Sequence, residues 1–213
     1  MLTERGIEIN CRDWVKISPF SLDRTGTELA DGTGALIIEP YDIAKDKDSF
    51  IYSTIEGGGI NSDAYNPTSP EPSGNALLKS MRDAIKMANI SADKIQYINS
   101  HGSGTKLNDI IETNVIKNVF GLNAYNLFVN SSKFIIGHNL GASGIVEVVI
   151  TIMQMRKGII HPTANFTELD SLCDLNYCFD EAASCQIEYA ISNSIGFGGI
   201  NVCVILKSGG LNN

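Results

Sequence analysis

The segment 95–121, IQYINSHGSGTKLNDIIETNVIKNVFG, changes its hydrophobic period within one short stretch. Ile95–Ser100 is an apolar run of strand length, and His101–Thr105 is a turn flanked by glycines. From Leu107 to Phe120 the apolar residues Ile110, Ile111, Val115 and Val119 recur at helical spacing, and Gly121 stands where a helix stops. A strand feeding a helix through a glycine-rich turn predicts an α/β fold.

The same alternation extends in both directions. Asn75–Ala88 places Leu78, Met81, Ile85 and Met87 or Ala88 on one helical face, and Ser91 caps a short turn before the strand. Leu127–Ser131 reads as a further strand. Gly144–Lys157 reads as a helix apolar nearly all round, ended by Gly158, and such a helix is expected to be buried on several sides. Tyr189–Ser194 and Ile200–Leu206 read as strands joined by Ile195–Gly199. Upstream, Gly34–Glu39 reads as a buried strand closed by Pro40, and Ser49–Glu56 as a second strand followed by Gly57–Gly59. Pro67, Pro70 and Pro72 make Asn61–Gly74 a loop. Residues 1–33 form a polar, irregular lead-in to a domain spanning 34–213. The expected fold is a mixed sheet covered on both faces by helices.

Composition narrows the function classes. With 16 basic and 24 acidic residues in 213 the net charge is −8, a poor match for nucleic acid, whose phosphates need a basic face. No apolar run approaches the roughly 20 residues of a membrane span. Met1–Asn10, carrying Glu4, Arg5 and Glu8, does not resemble a secretory signal, so a soluble, cytoplasmic chain is expected. The 5 cysteines, Cys11, Cys173, Cys178, Cys185 and Cys203, make a poor disulfide framework. The spacing Cys173-x4-Cys178-x6-Cys185 lacks the paired CxxC of a zinc site and reads as buried or half-exposed thiols.

Chemistry concentrates around two of the three histidines. His101 and His138 each sit in a glycine-flanked turn after a predicted strand, where α/β sheets bind ligands. Either one alone reads as a hydrogen-bonded structural histidine; two in matching contexts read as a pair converging on one substrate atom. Lys133, directly after a buried strand, either tunes such a pair from a desolvated position or snorkels to the surface. Asp109 and Glu112, in the first turns of the following helix, complement its dipole or orient the site. His161 reads as structural. Gly196–Gly199 places backbone N–H groups near a ligand, whereas GxxxxGK[ST], GxGxxG after a strand and GxSxG are absent.

Three segments together resemble the signatures of the β-ketoacyl-ACP synthases, a family with the thiolase fold. They are Asn99-Ser-His-Gly-Ser-Gly-Thr105 with Asn108-Asp109, Ser131-Ser-Lys-Phe-Ile-Ile-Gly-His138-Asn-Leu-Gly-Ala-Ser-Gly144, and Ser192-Asn-Ser-Ile-Gly-Phe-Gly-Gly-Ile-Asn201. The likeness continues through Asn61–Tyr65 and Pro162–Asn165 and runs from about Ser18 onward. It implies the C-terminal half of the family's five-layered αβαβα fold, with a Cys-His-His site at which malonyl-ACP is decarboxylated and condensed with an acyl thioester. None of the five cysteines has the family's Ala-Cys-Ser-type context. The resemblance therefore implies one subunit of a split ketosynthase in fatty acid or polyketide biosynthesis, inactive alone, whose nucleophile belongs to an N-terminal half on another chain in a hetero-oligomer. The alternative is a non-catalytic subunit resembling a chain-length factor or binding a carrier protein.

The resemblance also implies roles for individual residues. His101 and His138 would donate to the thioester oxygen, and Lys133 would hold the histidine network with Glu147 as its acidic partner. Phe197 would gate the site and, with Gly198, frame a second oxyanion hole. Ser103 and Thr105 would meet the phosphopantetheine arm of an acyl carrier protein, which is the only prosthetic group implied, with no metal or bound cofactor. This chain departs from the family at Ser103 for a usual Thr, Ile195 for Phe, Ile200 for Thr, and at Ser18–Ser21, where an Arg and an Asp are usual.

Overall fold

The computed structural model describes residues 16–179 and 181–209, so the expectations for Met1–Asn10 and Cys11 lie outside the described residues. In chain order the elements are α1 (Tyr41–Asp46), β1 (Ser53–Ser62), α2 (Asn75–Ala88), β2 (Ile95–Asn99), α3 (Lys106–Phe120) and β3 (Phe128–Asn130). There follow α4 (Lys133–Ile136), α5 (Ser143–Lys157), β4 (Ile159–Ile160), β5 (Ala183–Ser184), β6 (Tyr189–Gly196) and β7 (Ile200–Ser208). Five strands form one mixed sheet in the order β1-β7-β6-β2-β3. β2 runs parallel to both β3 and β6, while β7 is antiparallel to β1 and β6.

Alternation along the strands divides the core. Ile98, Ile191, Cys203 and Ile205 point to the face covered by α2 and α3, where Leu77, Met81, Ile111, Val115 and Ile116 complete the larger cluster. Tyr97, Ala190 and Leu206 point to the opposite face and meet Ile152 and Met155 of α5. Each fully buried Leu, Ile or Val contributes about 1.5–3 kcal/mol of transfer free energy, which fixes the register of the central strands.

β1 begins four residues later than its pattern suggests and runs straight through Gly57–Gly59 to Ser62. Close approach explains both the passage through the glycines and the rotation of α2, which buries Leu77, Ser80, Met81 and Ala84 and leaves Met87 exposed. A Cβ on Gly59 would stand 2.0 Å from the Ser80 carbonyl oxygen, and one on Gly57 would stand 2.3 Å from that of Ala84. Helix backbone thus lies directly on strand backbone.

Gly34–Glu39 is a correction. It forms no strand and is exposed, with Ile37 at 96% and Ile38 at 70%. The run has strand-forming residues, but among the described residues it meets no free sheet edge.

α5 carries the second surprise. Of its six buried residues, four are polar: Ser143, Glu147, Thr151 and Gln154. Ile145, Val146, Val149 and Ile150 are only half-buried, and Met153 is exposed. Beside Ile152 and Met155 the helix turns a polar stripe toward the sheet, and it turns much of its remaining apolar surface outward. An uncovered face of this kind drives association. The full chain is expected to self-associate in light scattering, and Met153→Glu should reduce this without lowering the melting temperature. Unchanged association in that variant would show that this face is not responsible.

Candidate active site

β2 delivers His101 to the edge of a cleft, and the next helix holds it there. The Glu112 carboxylate of α3 accepts the His101 N–H at 2.8 Å, the Gly102 N–H at 2.9 Å and an Asn193 amide N–H at 3.1 Å. Asp109 accepts the Phe20 N–H at 2.9 Å and the Gly104 N–H at 3.3 Å. Both carboxylates therefore position backbone; neither bonds an imidazole or Lys133. Burial pushes Glu112 up and Asp109 up to about 6, while these donors pull the other way.

His138 arrives differently from the expectation. It follows the one-turn helix α4 and Gly137, not a strand. A Cβ on Gly137, whose φ is +68°, would meet the Ala30 Cβ at 2.4 Å, because the lead-in pairs with this turn. The His138 N–H donates to the Glu28 carbonyl at 2.7 Å, and the Ala30 N–H donates to the His138 carbonyl at 3.1 Å.

The two imidazoles meet. Their centroids are 5.3 Å apart with planes at 77°. His101 Nδ1 faces the Ile195 backbone N–H and the Lys133 ammonium, each at 3.3 Å. His138 Nδ1 faces the Leu140 backbone N–H at 3.2 Å and the Ser143 hydroxyl at 3.0 Å. A backbone N–H can only donate, so each Nδ1 is an acceptor and each neutral ring carries its proton on Nε2. Burial first and the Lys133 charge second keep both rings neutral: His101 well below its ordinary value, and His138 pushed down to about 4. The pair thus offers two N–H donors and no positive charge of its own.

Lys133 is fully buried at the start of α4 and forms an ion pair with Glu147 of α5. This explains the inward polar stripe of α5, since a buried ammonium needs a partner that only the sheet-facing side can supply. The cleft in front of the imidazoles measures about 470 Å³ and is also bounded by Ser103, Thr105, Phe197 and the loop Asn66–Pro70. Ser103 and Thr105 hydroxyls lie 3.0 Å apart. Phe197 is half exposed at the cleft.

Gly198 corrects the sequence reading. Its N–H donates to the Pro67 carbonyl at 2.7 Å and is not free for an oxyanion. His161 lies apart, bonded to Asn130 and Ser132, in keeping with a structural role. The described cysteines are buried or half-buried, and burial pushes Cys173 and Cys178 up to about 12 and raises Cys185 and Cys203. Thiols held protonated in this way are poor nucleophiles.

Arg24 was not legible as a site residue. It is 1% exposed and donates to the Ser21 carbonyl at 2.7 Å and to Asp170 at 2.6 Å. Its Nε also lies 3.5 Å from Asp109, so it fastens the lead-in to the His101 loop. A single arginine in a polar stretch, with a partner 146 residues away, gives no local signal.

The lowered value of His138 has a stability consequence. Its folded value of about 4 lies below the unfolded one near 6.5. Between these the unfolded chain binds more protons, so acidification from about pH 6.5 toward 4 removes stability. A histidine NMR titration should place the His138 midpoint near 4, and His138→Asn should lose less stability than wild type between pH 7.5 and 5. Equal losses would contradict the assignment.

Comparison with known proteins gives the family. Residues 52–167 match the family described as beta-ketoacyl synthase, C-terminal domain. The chain is 38% identical over 189 residues to 3-oxoacyl-[acyl-carrier-protein] synthase 2 of Synechocystis sp., covering 89% of this chain and 45% of that protein. It is 38% identical over 205 residues to the Staphylococcus aureus synthase of the same name, covering 96% and 49%. Among solved structures, it matches a type II polyketide ketosynthase in complex with its acyl-carrier protein, with a TM-score of 0.92, 35% identity and coverage of 97% and 52%. A beta-ketoacyl synthase from Burkholderia phymatum gives a TM-score of 0.88 with 31% identity, covering 97% and 50%. The chain spans about half the length of the curated relatives it matches. It belongs to the β-ketoacyl synthase family, with the thiolase-like fold, and corresponds to that family's C-terminal half.

Proposed function

We propose that this chain supplies the His101, His138 and Lys133 part of a ketosynthase site for decarboxylative Claisen condensation in fatty acid or polyketide biosynthesis. The observation that carries this reading is the pair of imidazoles at one cleft, each with Nδ1 facing a backbone N–H donor. In the proposed reaction the bond between the malonyl α-carbon and its carboxylate breaks, CO2 departs, and the electron pair moves onto the thioester oxygen. Two imidazole N–H groups stabilise that enolate without having to lose a proton first. The enolate carbon then forms a bond to an acyl thioester carbon, and the cysteine leaves as thiolate.

The cysteine is proposed to come from a complementary N-terminal half on a partner chain. The described cysteines are held protonated by burial, and Cys11 stands between Asn10 and Arg12 without the family's context. The outward apolar face of α5 and the exposed run Leu36–Ile38 are the surfaces this half would cover. Phe197 gates the cleft in this reading, and its backbone N–H joins that of the nucleophile in a second oxyanion hole. Ser103 and Thr105 receive the phosphopantetheine arm of an acyl carrier protein. No other cofactor is required.

Co-expression with the cysteine-bearing half should yield a stable complex with condensation activity. Loss of one oxyanion donor typically costs a factor of about 10²–10³ in kcat, so His138→Ala should lower turnover by that factor. Activity unchanged by this substitution would overturn the reading.

A further inference from the structure

Thr27 carries a hydroxyl that nothing in the described chain uses. It lies in the lead-in, 5% exposed, in the wall of the cleft that holds both imidazoles. Its neighbours on either side are fastened to the two histidine loops. The Gly26 N–H donates to the Gly104 carbonyl at 3.1 Å, and the Glu28 carbonyl accepts the His138 N–H at 2.7 Å. Thr27 is therefore held between the loops. The hydroxyls of Ser103 and Thr105 in the same wall are paired with each other at 3.0 Å. Thr27 Oγ1, by contrast, is buried and has no hydrogen-bond partner. Leaving a buried hydroxyl unpaired is unfavourable, and native structures seldom keep one without a use.

We propose that the Thr27 hydroxyl donates to the carboxylate of a malonyl-class substrate and so determines the specificity of this cleft. The proposal rests on the decarboxylative reading above. A malonyl thioester brings two acceptors attached to one carbon, the thioester carbonyl and the carboxylate. The imidazole N–H groups take the first, and a turn about the Thr27 Cα–Cβ bond, which breaks no hydrogen bond because Oγ1 has none, brings a donor from the wall between their loops to the second. An acyl thioester lacking the carboxylate leaves the hydroxyl as unpaired as it is in the free protein, and gains nothing from it. The carboxylate loses its charge as CO2 forms, so the bond weakens toward the transition state. Such a bond lowers KM without raising kcat.

Thr27→Val preserves the side chain's shape and removes the hydroxyl. In the complex of the full chain with its cysteine-bearing half, with malonyl-pantetheine as the varied substrate, KM should rise by about tenfold to a hundredfold. The kcat should hold or rise slightly, and Thr27→Ser should keep the wild-type KM. An unchanged KM in Thr27→Val, or a fall in kcat alone, would overturn the proposal. A second measurement needs no partner. Because the hydroxyl is unpaired, Thr27→Val in the full chain alone should melt at the same temperature as wild type or higher; a lower melting temperature would reveal an internal partner and overturn it as well. Failure of the underlying reading shows separately, as a wild-type complex with no condensation activity.

Discussion

Two backbone N–H groups govern the chemistry available to this chain. Those of Ile195 and Leu140 occupy the Nδ1 atoms of His101 and His138, and that leaves the ring protons on the Nε2 atoms. Side chains alone would not secure this arrangement, because an imidazole flanked by hydroxyls can adopt either tautomer. Main-chain donors admit one. The Lys133 ammonium reinforces the choice at His101 and, with burial, keeps both rings neutral.

The rest of the fold serves this constraint. A buried ammonium beside His101 demands a carboxylate, which Glu147 provides from the sheet-facing side of α5. That demand carries Ser143, Thr151 and Gln154 inward with it and sends apolar residues outward. The helix that is apolar in sequence therefore turns a polar stripe inward beside Ile152 and Met155, and its remaining surface is suited to a second layer. Likewise the described part of the lead-in is not a free arm. Arg24, Asp109 and the pairing of Glu28 and Ala30 with His138 fix it against both histidine loops.

Much of this was legible in the sequence, for identifiable reasons. The strand–turn–helix unit around His101 shows in its change of period, and α3, α5 and the two long C-terminal strands lie within a few residues of their expected bounds. His101, His138 and Lys133 stand out by their place after predicted strands and Glu147 through the family resemblance, and the four lie together. What failed was whatever depends on distant partners. Gly34–Glu39 has the residues of a buried strand, but burial needs a sheet edge that the pattern cannot supply. Gly57–Gly59 looked like the end of a strand and proved to be the floor for α2. Gly198 was grouped with Phe197, yet its N–H is committed to Pro67 across a long loop. Arg24 and Asp170 escaped notice because ion pairs between remote positions leave no periodic trace.

The tautomeric state of the two rings is the most direct test of this account. Long-range nitrogen–proton NMR correlation on the full chain, labelled at histidine and held at pH 7, reads it for each imidazole. Neutral rings protonated at Nε2 for both His101 and His138 are the result expected from the backbone contacts. A ring protonated at Nδ1, or an imidazolium at either position, would contradict it.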